Sequence, residues 1–302
     1  MTSPRASSSQ TLLWLSLLTL SLIWGSTYLF VKLSVAQLPP FALTAIRAGV
    51  ASIALALWFF CTRQSLQPFR HLWKHMVVLG MINGWFPDVL TAIAAQHIDS
   101  AQSGILVTTT PLFTVMIAYQ ALRDEALDWL KLVGVMIGFV GVFFVIGPQY
   151  ILSASGTLLG SIAMLLTAAS YAVGNVYGRW LRSPHAAQLA LGQNIFTCLP
   201  AALFSAIVDP PWRLDLSVTT IGSVLFLGLI TTAAANVLFF GMLRRFPATN
   251  ISTVSYLKLI WSVFLGWAVL SEQISLTVLL GCGLIVTGVW LINRPAIVRI
   301  KG

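Results

Sequence analysis

Residues 101–142 read AQSGILVTTTPLFTVMIAYQALRDEALDWLKLVGVMIGFVGV, and residues 248–289 read ATNISTVSYLKLIWSVFLGWAVLSEQISLTVLLGCGLIVTGV. A shift of 147 positions lays one over the other without a gap. Ala101 falls on Ala248, Val107 on Val254, Leu112 on Leu259, Glu125 on Glu272, Gly134 on Gly281 and Gly141 on Gly288. Apolar segments resemble one another by chance, but glycines and glutamates are not interchangeable filler. We therefore read an internal duplication, and a repeat of this size decides the fold. Each copy is an apolar helix, a short polar turn ending in glutamate, and a second apolar helix with glycines seven apart. The glutamate suits the N-terminal dipole of the helix that follows it, and the glycines let two helices approach closely.

The duplication extends outward at the same offset. Trp24 falls on Tyr171, Phe30 on Tyr177 and Lys32 on Arg179; with a one-residue slip, Gly80 falls on Gly228 and Asp88 on Asn236. Of the 302 residues 58% are apolar and 8% charged, where a soluble domain carries about 25% charge. The chain cannot cover itself in water and reads as an all-α integral membrane protein. Its net charge of +9 lies between apolar runs rather than in one basic patch, which argues against a nucleic-acid partner. Cys61, Cys198 and Cys282 sit in apolar segments without metal-ligand spacing and read as small buried residues.

Runs near the length needed to cross hydrocarbon predict ten helices, at roughly 11–33, 39–61, 72–95, 100–121, 127–147, 156–179, 185–208, 216–243, 248–270 and 274–293. The run from Thr11 lacks a small-x-small cleavage site and reads as a retained span rather than a removed signal peptide. Residues 1–10 and 294–302 are then tails, 11–147 is the first repeat and 156–293 the second. With a cytoplasmic N-terminus, 13 Lys and Arg fall on inner segments and only Lys32 and Arg213 on outer ones. The positive-inside rule then puts both termini in the cytoplasm. Five spans per unit force the second unit to enter from the opposite side, so the repeats are inverted. That is a common design of secondary transporters, with the substrate at the repeat interface near the midplane.

Ten spans in two halves, the Trp24-Gly25-Ser26 motif in the first span and the glutamate-ended hairpins together resemble the EamA family of the drug/metabolite transporter superfamily. Among its members the chain is similar to the YddG-type bacterial exporters of amino acids and related metabolites. The resemblance covers nearly the whole chain and implies a basket-like bundle with a central cavity surrounded by spans 1, 3, 4, 6, 8 and 9. Many members carry an acidic residue or proline near the middle of span 9, where this chain has Lys258-Leu259. Substrate identity therefore does not carry over.

Ionisable side chains at depth usually face a cavity or a partner, and three lie well inside a span: Arg47, Asp88 and Lys258. Arg47 and Asp88 fall at matching depth. They read either as a structural ion pair or with Asp88 as a proton or substrate-amine site. Lys258 reads either as the partner of a substrate carboxylate or as a donor to a main-chain carbonyl. Its repeat counterpart is Pro111, preceded by Thr108, Thr109 and Thr110; proline frees a backbone carbonyl, which could be exposed to the cavity or accompany a plain kink. Trp24, Tyr28, Asn83, Trp85, Tyr171, Asn175, Asn236, Tyr256 and Trp261 are the remaining candidates for lining the cavity. Trp14, Trp73, Trp129 and Trp290 fall near span ends and read as headgroup-level anchors.

No His-Glu-x-x-His helix, Gly-x-Ser-x-Gly elbow, P-loop or paired carboxylates at depth are present. His71, His75, His97 and His185 are too scattered for a metal site. These absences predict a non-enzyme without catalytic residues, metal or cofactor. The expectation is a secondary exporter of small amphipathic metabolites, amino acids foremost, working in a bacterial inner membrane as a monomer. Its partners are a small-molecule substrate and the bilayer. A scaffold or an intramembrane enzyme is the rival, disfavoured by the inverted repeat and the missing catalytic set; a transporter of non-amino-acid metabolites or drugs is the other alternative. The charge count makes a direct test: cysteines placed at Gly156 and Asp209 should react with an impermeant thiol reagent from outside, and one at Ser183 should not. The opposite pattern of labelling would reverse the orientation.

Overall fold

A chain in hydrocarbon must satisfy its backbone polar groups internally, and helix does so within one segment. All regular structure among the described residues is helical. The structure, a computed structural model, describes residues 4–63, 65–121, 129–147, 156–181, 185–208, 215–243 and 254–292. We label its helices α1 (Pro4–Gly25, continued after Ser26 as Thr27–Ser34), α2 (Pro40–Cys61) and α3 (Phe69–Gly80, Met81–Trp85 and Phe86–His97). They are followed by α4 (Ser100–Val107, then Thr110–Ala121), α5 (Trp129–Ile146), α6 (Gly156–Leu181) and α7 (Ala186–Val208). The last three are α8 (Val218–Phe226, Leu227–Ala234 and Ala235–Leu243), α9 (Val254–Leu270) and α10 (Leu276–Ile292). Eight helices among the described residues are long and apolar enough to cross a membrane, and two shorter apolar ones lie at Leu257–Leu270 and Leu276–Ile292. The first helix begins at Pro4, inside the expected tail. Glu125 and the expected tail 294–302 lie outside the described residues.

Exposed large apolar side chains cover the outside, among them Ile53, Leu57 and Phe60 on α2 and Leu199, Leu203 and Ile207 on α7. A surface of that kind is suited to lipid. Trp14, Trp73, Trp129 and Trp290 are exposed as anchors would be, and Cys61 is exposed rather than buried.

The packing repeats when the halves are exchanged. α1 packs on α9 and α8, while α6 packs on α4 and α3; α2 packs on α7, and α5 on α10. The glycines explain the last contact. A Cβ at Gly134 would lie 2.7 Å from the Gly288 carbonyl oxygen, and one at Gly141 2.6 Å from that of Gly281. Gly134 thus meets Gly288 rather than its own counterpart Gly281, so α5 and α10 run antiparallel with backbones in contact.

Both halves also depart from α-helix at the same place. Met81–Trp85 in α3 and Leu227–Ala234 in α8 are π-helical, directly after Gly80 and around its counterpart Gly228. A wide turn shifts carbonyls off their usual donors, and side-chain hydroxyls claim them, from neighbouring helices for α3 and from its own helix for α8. Thr197 Oγ1 donates to the Gly80 oxygen at 3.0 Å, and Ser170 Oγ donates to the Ile82 oxygen. In α8, Thr231 and Thr232 both donate to Leu227 O, at 2.8 and 2.9 Å.

The Glu272 carboxylate does not serve the helix that follows it, whose first turn is capped instead by Ser275 Oγ, which accepts from Val278 N at 3.3 Å. Glu272 crosses to the other half: its two carboxylate oxygens accept from Ser100 N at 2.7 Å and Ala101 N at 2.9 Å, the first turn of α4. It reaches there because Ser271 takes a left-handed φ of 55° at the end of α9, a conformation costing a non-glycine about 1–2 kcal/mol. The chain then folds back over Gly266, where a Cβ would overlap the carboxylate and come 2.9 Å from Ser100 Oγ. At the same end Lys32 Nζ donates to Ala95 O and Ile98 O at 2.9 and 2.7 Å, and Gln37 Oε1 accepts from Ser217 N at 2.8 Å. Burial pushes the Asp99 carboxyl upward, reinforced by the charge of Glu272 and opposed by Lys32. A raised acid favours the fold more as pH falls through its folded value, so Asp99 works against the closed end at high pH. Glu272→Ala leaves two buried α4 donors unpaired and should lower stability by about 2–3 kcal/mol, read as thermal unfolding in detergent. Gly266→Ala should do the same with the carboxylate still present. Unchanged melting in both variants would show that the cap holds nothing.

Candidate functional site

The helices enclose a central cavity of about 470 Å³, within the range of small-molecule sites. Its lining runs from Arg47, Tyr28 and Asp88 to Ile292 at the far end of α10. None of Lys32, Gln37, Asp99, Ser100 and Glu272 lines it, so the cavity stops short of the end closed by the Glu272 cap and extends toward the opposite one. The resemblance implied walls from six helices only. The structure adds Arg47 from α2 and Gln193, Asn194 and Thr197 from α7. Nothing in the apolar run of α7 singled these out, because a polar residue on a span faces lipid, protein or cavity depending on neighbours that a sequence does not name.

Arg47 and Asp88 are together: Nη1 lies 3.4 Å from Oδ1, with both side chains 14% exposed. Tyr171 Oη donates to the same Oδ1 at 3.4 Å, and Arg47 Nε donates to Thr232 Oγ1 on α8 at 3.1 Å. Contacts of 3.4 Å are long for charge-assisted bonds. Arg47 thus ties a carboxylate of the first half to the π segment of the second. Asn83, on the π segment of α3, donates through Nδ2 to Gln193 Oε1 at 3.2 Å, and Gln193 Nε2 donates back to Asn83 O at 3.3 Å.

Lys258 lines the cavity and has no hydrogen bond or ion pair among the described residues, so the carbonyl-bonded alternative is not what the structure contains. Its helix comes close to α1 at Gly25, where a Cβ would lie 2.7 Å from Lys258 O. That is the structural use of Trp24-Gly25-Ser26: Trp24 enters the cavity, its ring 5.5 Å from that of Phe239, and Gly25 admits α9. Pro111 does not offer a bare carbonyl. The Val107 oxygen, which its missing N–H would have bound, accepts from Thr110 Oγ1 at 2.7 Å. Thr108 and Thr109 cap Ile105 O and Leu106 O in the same way, at 2.6 and 2.7 Å.

Of the other expected lining residues, Trp24, Tyr28, Asn83, Tyr171, Asn175 and Asn236 face the cavity. Trp85 does not. The wide π turn carries it round to the α2 and α7 side, stacked between Phe41 at 6.5 Å and Phe204 at 5.5 Å. Trp261 also turns away: its Cβ packs where Gly25 leaves room, and its ring lies 6.1 Å from that of exposed Phe264. The Tyr256 side chain lies outside the described residues.

Comparison with known proteins agrees with this geometry. The sequence matches the EamA-like transporter family twice, over residues 11–147 and 158–294, so the two matches begin 147 residues apart. It is 25% identical over 284 residues to the uncharacterized transporter YoaV of Bacillus subtilis, covering 92% of this chain and 95% of that one. Against the uncharacterized inner membrane transporter YedA of Escherichia coli K12 it is 25% identical, covering 92% and 89%. A third relative, 26% identical with 89% and 85% covered, is the S-adenosylmethionine/S-adenosylhomocysteine transporter of Chlamydia trachomatis serovar L2. One crystal structure superposes with a TM-score of 0.66 at 20% identity, covering 95% of this chain and 97% of that one.

The ion pair makes its own prediction. Asp88→Asn strands Arg47 among buried groups and should cost about 3–5 kcal/mol, whereas Asp88→Asn with Arg47→Gln should recover most of it. Thermal unfolding of the three proteins in detergent measures both. A double variant no more stable than the single one would mean that the two side chains do not act as a pair.

Proposed function

The chain belongs to the EamA-like transporter family, and on that premise we propose that it is a secondary transporter exporting small carboxylate-bearing metabolites, amino acids foremost, by alternating access. The observation that carries the reading is a cavity walled by both halves, with a cross-half cap at one end and, in its lining, a cation, Lys258, that has no ion-pair partner among the described residues. The antiparallel contact of α5 with α10 supports a ten-span fold of two inverted units, because a two-fold axis in the membrane plane sets counterpart helices against each other in opposite directions. Taken with the charge count, the end opposite the Glu272 cap faces the cytoplasm. The cavity would then load from there, in the inner membrane where YedA is named.

A cation with little water around it attracts an anion more strongly than in bulk solvent. Lys258 would hold the substrate carboxylate, with Trp24 and Tyr171 covering its carbon skeleton. Asp88 is already engaged by Arg47 and Tyr171, so it is a poor receptor for a substrate amine until that pair opens.

Counterflow into proteoliposomes across amino acids, nucleosides and sugars tests the transport reading, which fails if no solute moves. Lys258→Met keeps the stem and removes the charge. It should weaken carboxylate binding by about 1–3 kcal/mol, while decarboxylated amine analogues change much less. Equal affinity of wild type and variant for every carboxylate would make Lys258 structural. Gradient-driven transport retained by the Arg47→Gln, Asp88→Asn double variant would remove Asp88 from proton coupling.

A further inference from the structure

The polar lining divides by whether a side chain already has a partner. Asn83 and Gln193 bind each other, and Asn194 Nδ2 donates to Ala190 O at 2.8 Å. The cavity threonines of α4, α7 and α8 spend their hydroxyl protons on main-chain carbonyls. Lys258, Asn175 and Asn236 alone among the amide and cationic side chains of the lining have no hydrogen bond or ion pair among the described residues. The duplication explains how this arose. A shift of 147 takes Arg47 to Asn194, and the one-residue slip takes Asp88 to Asn236. The counterpart of the charged pair is therefore a pair of amides; one is tied to its own helix and the other is free.

Two of the free groups share one wall of the cavity, and the third enters the same cavity from another helix. α8 and α9 both pack on α1, and Trp24 shares a core with Leu238, Phe239 and Leu257. Lys258 and Asn236 enter the cavity from those two helices, on the Trp24 wall, while Asn175 enters from α6. An asparagine side chain offers two donors and an acceptor, and a ligand that leaves them unpaired loses the bonds that water had made.

We infer that the substrate carries, besides the carboxylate held by Lys258, a neutral hydrogen-bonding group read by Asn236 and Asn175 in place of an apolar tail. A carboxamide is the fullest match, since two primary amides can exchange both bonds. This rests on the transport reading and narrows it from amphipathic to polar carboxylates.

Titration calorimetry of the full-length protein in detergent, with succinamate and its near-isostere 4-methylpentanoate, tests the inference. Succinamate should bind about 10- to 100-fold more tightly, the worth of one or two good hydrogen bonds. Asn236→Leu should abolish that preference by weakening succinamate and tightening 4-methylpentanoate, and Asn175→Leu provides a second variant if the first fails to fold. Equal affinities in the wild type, no binding of either ligand, or a preference that survives in both variants would overturn the inference. Efflux from proteoliposomes keeps the two readings apart. Carboxylates that leave without discrimination sink the amide subsite and spare transport, whereas amide preference in calorimetry with no efflux of any solute sinks transport alone.

Discussion

Every peptide group of this chain that lies in hydrocarbon must find its hydrogen bond within the protein, and each irregularity of the fold can be traced to how that demand is met. Where α3 and α8 widen into π turns, Thr197, Ser170, Thr231 and Thr232 take up the displaced carbonyls. Where Pro111 withholds a donor from Val107 O, Thr110 supplies one. Where α4 begins with bare N–H groups, Glu272 arrives from the other half. Thr197, Ser170 and Glu272 make these repairs from the other half, so some of the breaks in regular helix are also places where the halves are fastened.

This explains why the cavity lies where it does. A helix interrupted at midspan changes the face it presents, as the opposite fates of Asn83 and Trp85 on one π segment show. Asn83 is turned inward to Gln193, and Trp85 outward to Phe41 and Phe204. The interruptions in α1, α3, α4 and α8 all border the cavity, so polar side chains collect there and the uninterrupted surfaces are left to lipid.

The duplication builds a nearly symmetric frame and then departs from symmetry at the charges. α5 against α10 is the symmetric extreme, with Gly134 facing Gly288 and Gly141 facing Gly281. At the cavity, Arg47 and Asp88 have amides as counterparts, and Lys258 has Pro111. The frame is thus nearly symmetric, while the charges of the lining are not.

The fold was legible in the sequence because it rests on patterns that survive without knowledge of neighbours. Apolar runs show the spans, and a gapless shift of 147 residues pairs the halves and the glycines with their counterparts. Midspan charges named Arg47, Asp88 and Lys258, since an ionisable group at depth must be accounted for wherever it points. What faces what was decided only in three dimensions. The sequence contains no signal for the π turns that carry Trp85 out of the cavity. It does not reveal that Gly25 faces Lys258 O across α1 and α9, nor that α7 contributes Gln193 and Asn194. It suggested that Glu272 serves the helix after it, and the tertiary structure gave it to α4, 171 positions away. Local periodicity specifies a helix and its apolar faces; the partner of a polar group is specified by packing, which brings together atoms that no local spacing relates.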